Sequence, residues 1–131
     1  MNKLIEKLKK DYPEVRFKTG VKFLFRPPRT VVVGPEMKNS ELILLHEMGH
    51  FISKHYNYQT YAERLKIERE AWEIASGLAA RYGVKYDEDV VEDELDTYRD
   101  WLDQKSRCPE CGLTRFQTPD GVFHCPRCDV E

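Results

Sequence analysis

Leu44-Leu45-His46-Glu47-Met48-Gly49-His50-Phe51 is the stretch from which the rest of this chain can be read. It has the form H-E-x-x-H. Residues four apart on an α-helix lie about 40° apart around its axis, because a turn takes about 3.6 residues. His46 and His50 therefore share one face, and two imidazoles so placed can hold one Zn²⁺ at about 2.0–2.1 Å each. Glu47 stands beside them, where a carboxylate can take a proton from metal-bound water. Leu42, Leu45, Phe51 and Ile52 predict that the helix is buried. The same pattern also arises by chance in helices that bind nothing, so the metal reading depends on a third ligand.

A catalytic zinc site takes three protein ligands and keeps a fourth position open. Downstream, Thr60 and Glu63 form a T-x-x-E capping box and Gly83 supplies a C-terminal stop, which predicts one helix between them. Leu65, Trp72, Ala75 and Ala79 make its apolar stripe, flanked by Ala71 and Leu78. Glu68 falls on that stripe, eighteen positions past His50, while Glu70 and Glu73 lie nearer the polar side. A carboxylate on an apolar face is costly unless a cation meets it. Glu68 is thus the expected ligand and Glu70 its main competitor. The plain alternative is a surface acid or a salt bridge.

His46-Glu47-Met48-Gly49-His50 followed by Glu68-Arg69-Glu70-Ala71-Trp72-Glu73-Ile74-Ala75 resembles the paired motifs of the gluzincin metallopeptidases. It is closest to the small minigluzincins and to the ImmA/IrrE-type peptidases, with H-E-x-G-H and then E-x-E-A-[ND]-x-x-A. The membrane CAAX-type and HtpX-type peptidases share the same two helices. The resemblance covers about residues 20–83. It implies a catalytic zinc on His46, His50 and Glu68, with Glu47 as the base. One place departs: the families put Asn or Asp four after the ligand Glu, where it can support a ligand histidine, and here that place holds Trp72. An indole N–H donates but cannot accept, so its part must differ.

Spacing tests two other peptidase classes. Metzincins need H-E-x-x-H-x-x-G-x-x-H. Here the glycine place is Ser53 and the last histidine place is Tyr56, with His55 one position short. SprT-like proteases also join H-E-x-x-H to a C-terminal zinc ribbon, and stay as an alternative. They take a further downstream histidine, and only His55 and His124 follow His50.

With 131 residues, 40% of them hydrophobic, the chain suits one domain and a small appendage. The longest apolar runs, such as Leu42–Leu45, are far too short to span a bilayer, and the start lacks the apolar stretch of a signal peptide. All four cysteines fall in one tail cluster, so nothing points to a secreted disulfide scaffold, and a cytoplasmic protein is expected. The net charge of −2 hides an asymmetry. Residues 1–40 carry ten Lys/Arg against four Asp/Glu, and 87–103 carry nine Asp/Glu against Arg99. Two solvated faces account for this; attraction between the halves, or steering of a charged partner, is the sharper reading. Nucleic-acid binding is not indicated.

Local patterns predict the remaining elements. Residues 2–11 form an amphipathic helix with Leu4, Ile5 and Leu8 inward, ended by Tyr12-Pro13. Strands follow around Val15–Phe17, Val21–Phe25 and Thr30–Val33, giving a small three-stranded sheet, antiparallel where short turns join it. Either Phe23–Arg26 or Thr30–Val33 could be an edge that pairs with an extended substrate. Asn39 or Ser40 caps the metal helix, which runs to about His55, and Tyr56–Gln59 links it to the next. A last helix runs from Asp87 or Asp89 to about Gln104 on Val90, Val91, Leu95, Tyr98 and Leu102.

Cys108-Pro109-Glu110-Cys111 and Cys125-Pro126-Arg127-Cys128 are two C-x-x-C knuckles with thirteen residues between them. Paired knuckles close a tetrahedral Cys₄ site, whose metal supplies much of the folding energy of so short a segment. Arg115-Phe116-Gln117 and Val122-Phe123-His124 flank Pro119-Asp120-Gly121 as in a hairpin. The tail looks like a zinc ribbon or rubredoxin-like knuckle pair; iron in place of zinc, and C-x-x-C redox chemistry, stay as alternatives. Phe116, Phe123 and His124 are candidates for a partner-binding surface.

These readings predict an α/β (α+β) metallopeptidase domain over residues 1–104 and a structural zinc ribbon over 105–131. The expected reaction is hydrolysis of a peptide or protein substrate, with Tyr58, Tyr61 and His55 near in sequence as candidate oxyanion donors. The competing expectation is an ImmA/IrrE-like regulatory or latent metal-binding protein with little general activity.

Overall fold

The computed structural model describes residues 1–55 and 57–129; Tyr56, which the metzincin spacing and the linker both involve, lies outside them, as do residues 130–131 of the tail. The described residues form four helices, a three-stranded mixed sheet and a two-stranded hairpin. The fold is therefore mixed α/β, with the four cysteines gathered near the C-terminus. Two compact units make it up: Met1–Tyr56 with Arg69–Asp87, and Asn57–Glu68 with Glu88–Glu131.

In the first unit, helix α1 (Asn2–Asp11) buries Leu4 and Leu8, and the Tyr12 N–H closes it on the Leu8 carbonyl at 2.7 Å. Strands β1 (Arg16–Thr19), β2 (Leu24–Arg26) and β3 (Thr30–Val33) lie in the order β1-β3-β2. β2 and β3, joined by a short turn, are antiparallel as expected. β1 and β2 are also close in sequence but do not pair; β1 runs parallel to β3 instead. β3 has the longest apolar run, and its Val31 and Val32 are buried, so it takes the centre of the sheet. It therefore has no free edge, and that expectation for Thr30–Val33 is corrected. The strand signal of Val21–Phe25 is cut short as well: Val21 is 90% exposed and only Leu24–Arg26 pairs.

Helix α2 (Ser40–Ile52) starts after Asn39, whose φ of 66° is left-handed. Neither predicted cap works through its side chain; the Ser40 hydroxyl instead donates to the Met37 carbonyl at 2.7 Å. The helix ends three residues before His55. Lys54, at φ 57°, turns the chain back, and the His55 N–H reaches the His50 carbonyl at 3.0 Å. This is the helix-closing pattern that glycine usually serves.

Helix α3 (Tyr61–Tyr82) contributes to both units. Its capping box forms with a shift: the Glu63 N–H donates to the Thr60 hydroxyl oxygen at 3.2 Å, while the Glu63 carboxylate accepts from the Gln59 N–H at 2.9 Å. At the far end Gly83 has φ 70°, and the Val84 N–H bonds to the Ala79 carbonyl at 2.9 Å. Of the predicted stripe and its flanks, Ala71, Trp72, Ala75, Leu78 and Ala79 are buried, while Leu65 is half-buried.

The second unit packs the first turns of α3 with α4 (Glu88–Ser106) and the hairpin of β4 (Phe116–Gln117) and β5 (Phe123–His124). The Tyr61 N–H donates to the Gln117 side-chain oxygen at 2.7 Å, and the Tyr61 ring meets Trp101 (4.7 Å) and Phe123 (5.4 Å). The Arg64 guanidinium lies over Tyr58, Tyr98 and Trp101.

Candidate metal centres

Helix α2 is buried almost all round: Leu42, Leu44, Leu45, His46, Glu47, Met48, Gly49 and His50 all lie inside. Gly49 lies directly against the backbone of α3. A Cβ at that position would collide with the Ala71 carbonyl oxygen and stand 3.0 Å from the Ala71 Cα. Only glycine leaves room for this contact.

On these two helices His46, His50 and Glu68 come together, all buried, with imidazole nitrogens and a carboxylate oxygen within 4.8 Å of one another. A tetrahedral ion with bonds of about 2.0–2.2 Å needs donors about 3.3–3.6 Å apart, which small side-chain movements within that cluster provide. Two imidazoles and one carboxylate can hold a metal ion and leave a position open. Glu47, 9% exposed, has its Oε1 3.4 Å from His46 Nδ1.

Glu70 is not in the ligand group. Its Oε2 lies 3.0 Å from His55 Nε2, and His55 Nδ1 lies 3.1 Å from His50 Nδ1. His50 also stacks on Phe25, with ring centroids 6.5 Å apart and planes 9° off parallel. Trp72, in the place of the family's Asn or Asp, meets His46 with its ring face: the centroids are 4.1 Å apart and the planes 10° off parallel. Its buried Nε1–H is the one side-chain N or O atom among the described residues found buried without a hydrogen-bond partner. Such an orphan donor costs about 1–3 kcal/mol. Sequence reasoning named the three residues of the His-His-Glu group but missed the His50–His55–Glu70 series. The signal that could have found it is a histidine just past the first motif and a second acid inside the other. Of the candidate oxyanion donors, His55 is engaged in this series, Tyr61 in the aromatic cluster, and the Tyr58 hydroxyl accepts from Arg64 at 3.2 Å.

The second centre lies in the tail. Cys108, Cys111, Cys125 and Cys128 place their sulfurs within 4.8 Å of one another. Cys108 and Cys128 Sγ are 3.8 Å apart, and Cys111 and Cys125 Sγ 3.5 Å. A tetrahedral ion with metal–sulfur bonds of about 2.3 Å needs sulfurs about 3.8 Å apart, whereas a disulfide would bring them to about 2.05 Å. The donor set fits an ion. Gly112, at φ 77°, returns its N–H to the Cys108 carbonyl at 2.9 Å, and the Cys128 N–H points at Cys125 Sγ at 3.3 Å. That N–H is the main reason the Cys125 thiol is drawn down to about 7. The surrounding thiols, Cys111 first, push Cys128 up to about 12. A cation among the sulfurs favours the thiolate form in all four.

The hairpin turns at Pro119-Asp120-Gly121, with Gly121 at φ 90°. Of the predicted contact surface, Phe116 is 57% exposed and stacks on the half-buried His124, while Phe123 faces Tyr61 and Arg115. Among the described residues no helix is long and apolar enough to cross a membrane. Comparison with family models, with curated proteins and with solved structures found no match.

Proposed function

We propose that the chain is a zinc metallopeptidase of the gluzincin type, with catalytic zinc at His46, His50 and Glu68 and structural zinc at Cys108, Cys111, Cys125 and Cys128. The observation that carries this reading is the buried His-His-Glu group with the Glu47 carboxylate beside it. When bound, zinc supplies the Lewis acidity that activates water and polarises a carbonyl at neutral pH. The protein's own residues do the rest. Glu47 takes the proton from the attacking water and returns it to the leaving amine. The sheet edge near His50 is β2, whose Phe25 stacks on that ligand, and an extended substrate can add to it through main-chain hydrogen bonds. The Cys₄ centre is closed and cannot activate water, so its role is structural. Leu113, Phe116 and Val122, all exposed on that segment, offer a surface for a protein partner. We place the protein in the cytoplasm.

A regulatory metal protein with little general activity is the second reading. It is favoured by Trp72 standing where the resembling families carry Asn or Asp. Cleavage of a peptide library by the full zinc-loaded chain separates the two. Glu47→Gln is expected to abolish cleavage and keep the metal, and Glu68→Ala to weaken metal binding itself. A zinc-loaded wild type that cleaves nothing in the library overturns the peptidase reading and leaves the regulatory one.

A further inference from the structure

We infer that Glu70 and His55 are positioning residues: they set the His50 ring in the one neutral tautomer that can bind a metal through Nε2. The inference builds on the ligand assignment above, not on hydrolysis. Three atoms in series carry it: Glu70 Oε2 is 3.0 Å from His55 Nε2, and His55 Nδ1 is 3.1 Å from His50 Nδ1. A carboxylate accepts hydrogen bonds and does not donate them. His55 Nε2 must therefore carry the hydrogen in this pair. With His55 in its neutral form, which is a premise of the inference, the ring has one N–H, so His55 Nδ1 is bare and accepts. His50 Nδ1 then supplies that hydrogen, so the one N–H of a neutral His50 ring is at Nδ1 and not at Nε2. That is the form a metal requires, and the series selects it before any metal arrives.

The backbone supports the same arrangement. Lys54 turns left-handed at φ 57°, and the His55 N–H then bonds to the carbonyl of His50 at 3.0 Å. The two histidines are thus joined twice, through main chain and through rings. Their ring centroids lie 5.3 Å apart with planes at 70°, so the rings do not stack and the two Nδ1 atoms are left to share a hydrogen. Glu70 sits two residues past the ligand Glu68 on α3, so one helix supplies a ligand and the far end of the series.

The test uses the full chain labelled with ¹⁵N-histidine, with the His46 site freed of metal. Two-bond proton–nitrogen correlation then reads the tautomer of each ring. The expected result is Nδ1–H for His50 and Nε2–H for His55. Zinc affinity, measured by competition with a chromophoric chelator, is expected to fall about 10–100-fold in Glu70→Ala and in His55→Ala. Glu70→Gln keeps an acceptor oxygen and should recover most of that loss. A merely structural role would not give this rescue in a chain whose wild type also shows the expected tautomers. An Nε2–H His50 in the wild type, or affinities within twofold of wild type in both alanine variants, overturns the inference. The tautomer reading needs no variant, so a variant that fails to fold does not remove the test. A chain that shows the tautomers and binds zinc but hydrolyses nothing would refute the peptidase reading and leave this one standing.

Discussion

Trp72 does for His46 by stacking what the His55 hydrogen bond does for His50: it fixes the plane of the ring. Its indole N–H has no partner, so the residue's value lies in its face and volume. Trp72→Ala should cost about 3–5 kcal/mol in urea unfolding, because it leaves a cavity in the core. It should also weaken zinc binding, since the His46 ring is then free to turn. Unchanged zinc affinity in a folded Trp72→Ala variant would deny the stack any part in the site. At this scale the members of the His-His-Glu group were legible in the sequence. Glu68 stood out because an acid on an apolar stripe demands a cation, and Gly49 and Trp72 could be placed by counting. Glu70 was legible only as a rival ligand. Its contact depends on where the chain goes after α2, and that turns on one left-handed lysine that no sequence rule anticipates.

Helix boundaries were mostly legible, because caps and stops are local chemistry. The capping box of α3 and the Gly83 stop formed where expected. Strand pairing was less so. Short spacing suggests a hairpin between β1 and β2, but the sheet centre goes to the strand with most apolar area to cover, which is a property of the whole sheet. Between elements, α1 and α3 are tied by an exposed polar contact. The Tyr82 hydroxyl donates to Asp11 Oδ2 at 2.6 Å, and Arg81 reaches the same oxygen at 3.3 Å. Burial first, and then the Asp11 hydrogen bond, push the Tyr82 phenol from 10.0 up to about 12. The folded state therefore favours the neutral phenol. Its contribution is complete below the unfolded value of 10.0 and is lost as pH rises through about 12. Tyr82→Phe should lower stability by no more than about 1 kcal/mol at pH 7, a limit set by the exposure of the contact. The urea midpoints of wild type and variant should converge on going from neutral to strongly alkaline pH. Parallel midpoints across that range would show that the hydroxyl contributes nothing.

Across the whole molecule, two donor sets of opposite character share one short chain. One is nitrogen and oxygen with an open position; the other is four sulfurs with none. Elemental analysis of the full chain should find about two equivalents of metal, and Cys125→Ser about one, as the ligand counts require. An organomercurial should release only the ion held by the cysteines. Two equivalents retained in Cys125→Ser would refute the sulfur site. The paired knuckles made this duality plain in the sequence. The division of α3 between two compact units left no mark there, because it rests on which surfaces meet, such as Tyr61 against Trp101 and Phe123. The crossing at Gly49 has a consequence of a genetic kind. The atoms that a side chain at 49 would strike are the carbonyl oxygen, carbonyl carbon and Cα of residue 71. Every amino acid carries those atoms, so no replacement at 71 can act as a suppressor of a change at 49. A lineage that loses this glycine can recover by direct reversion, or by moving a helix, but not by compensation at the point of contact.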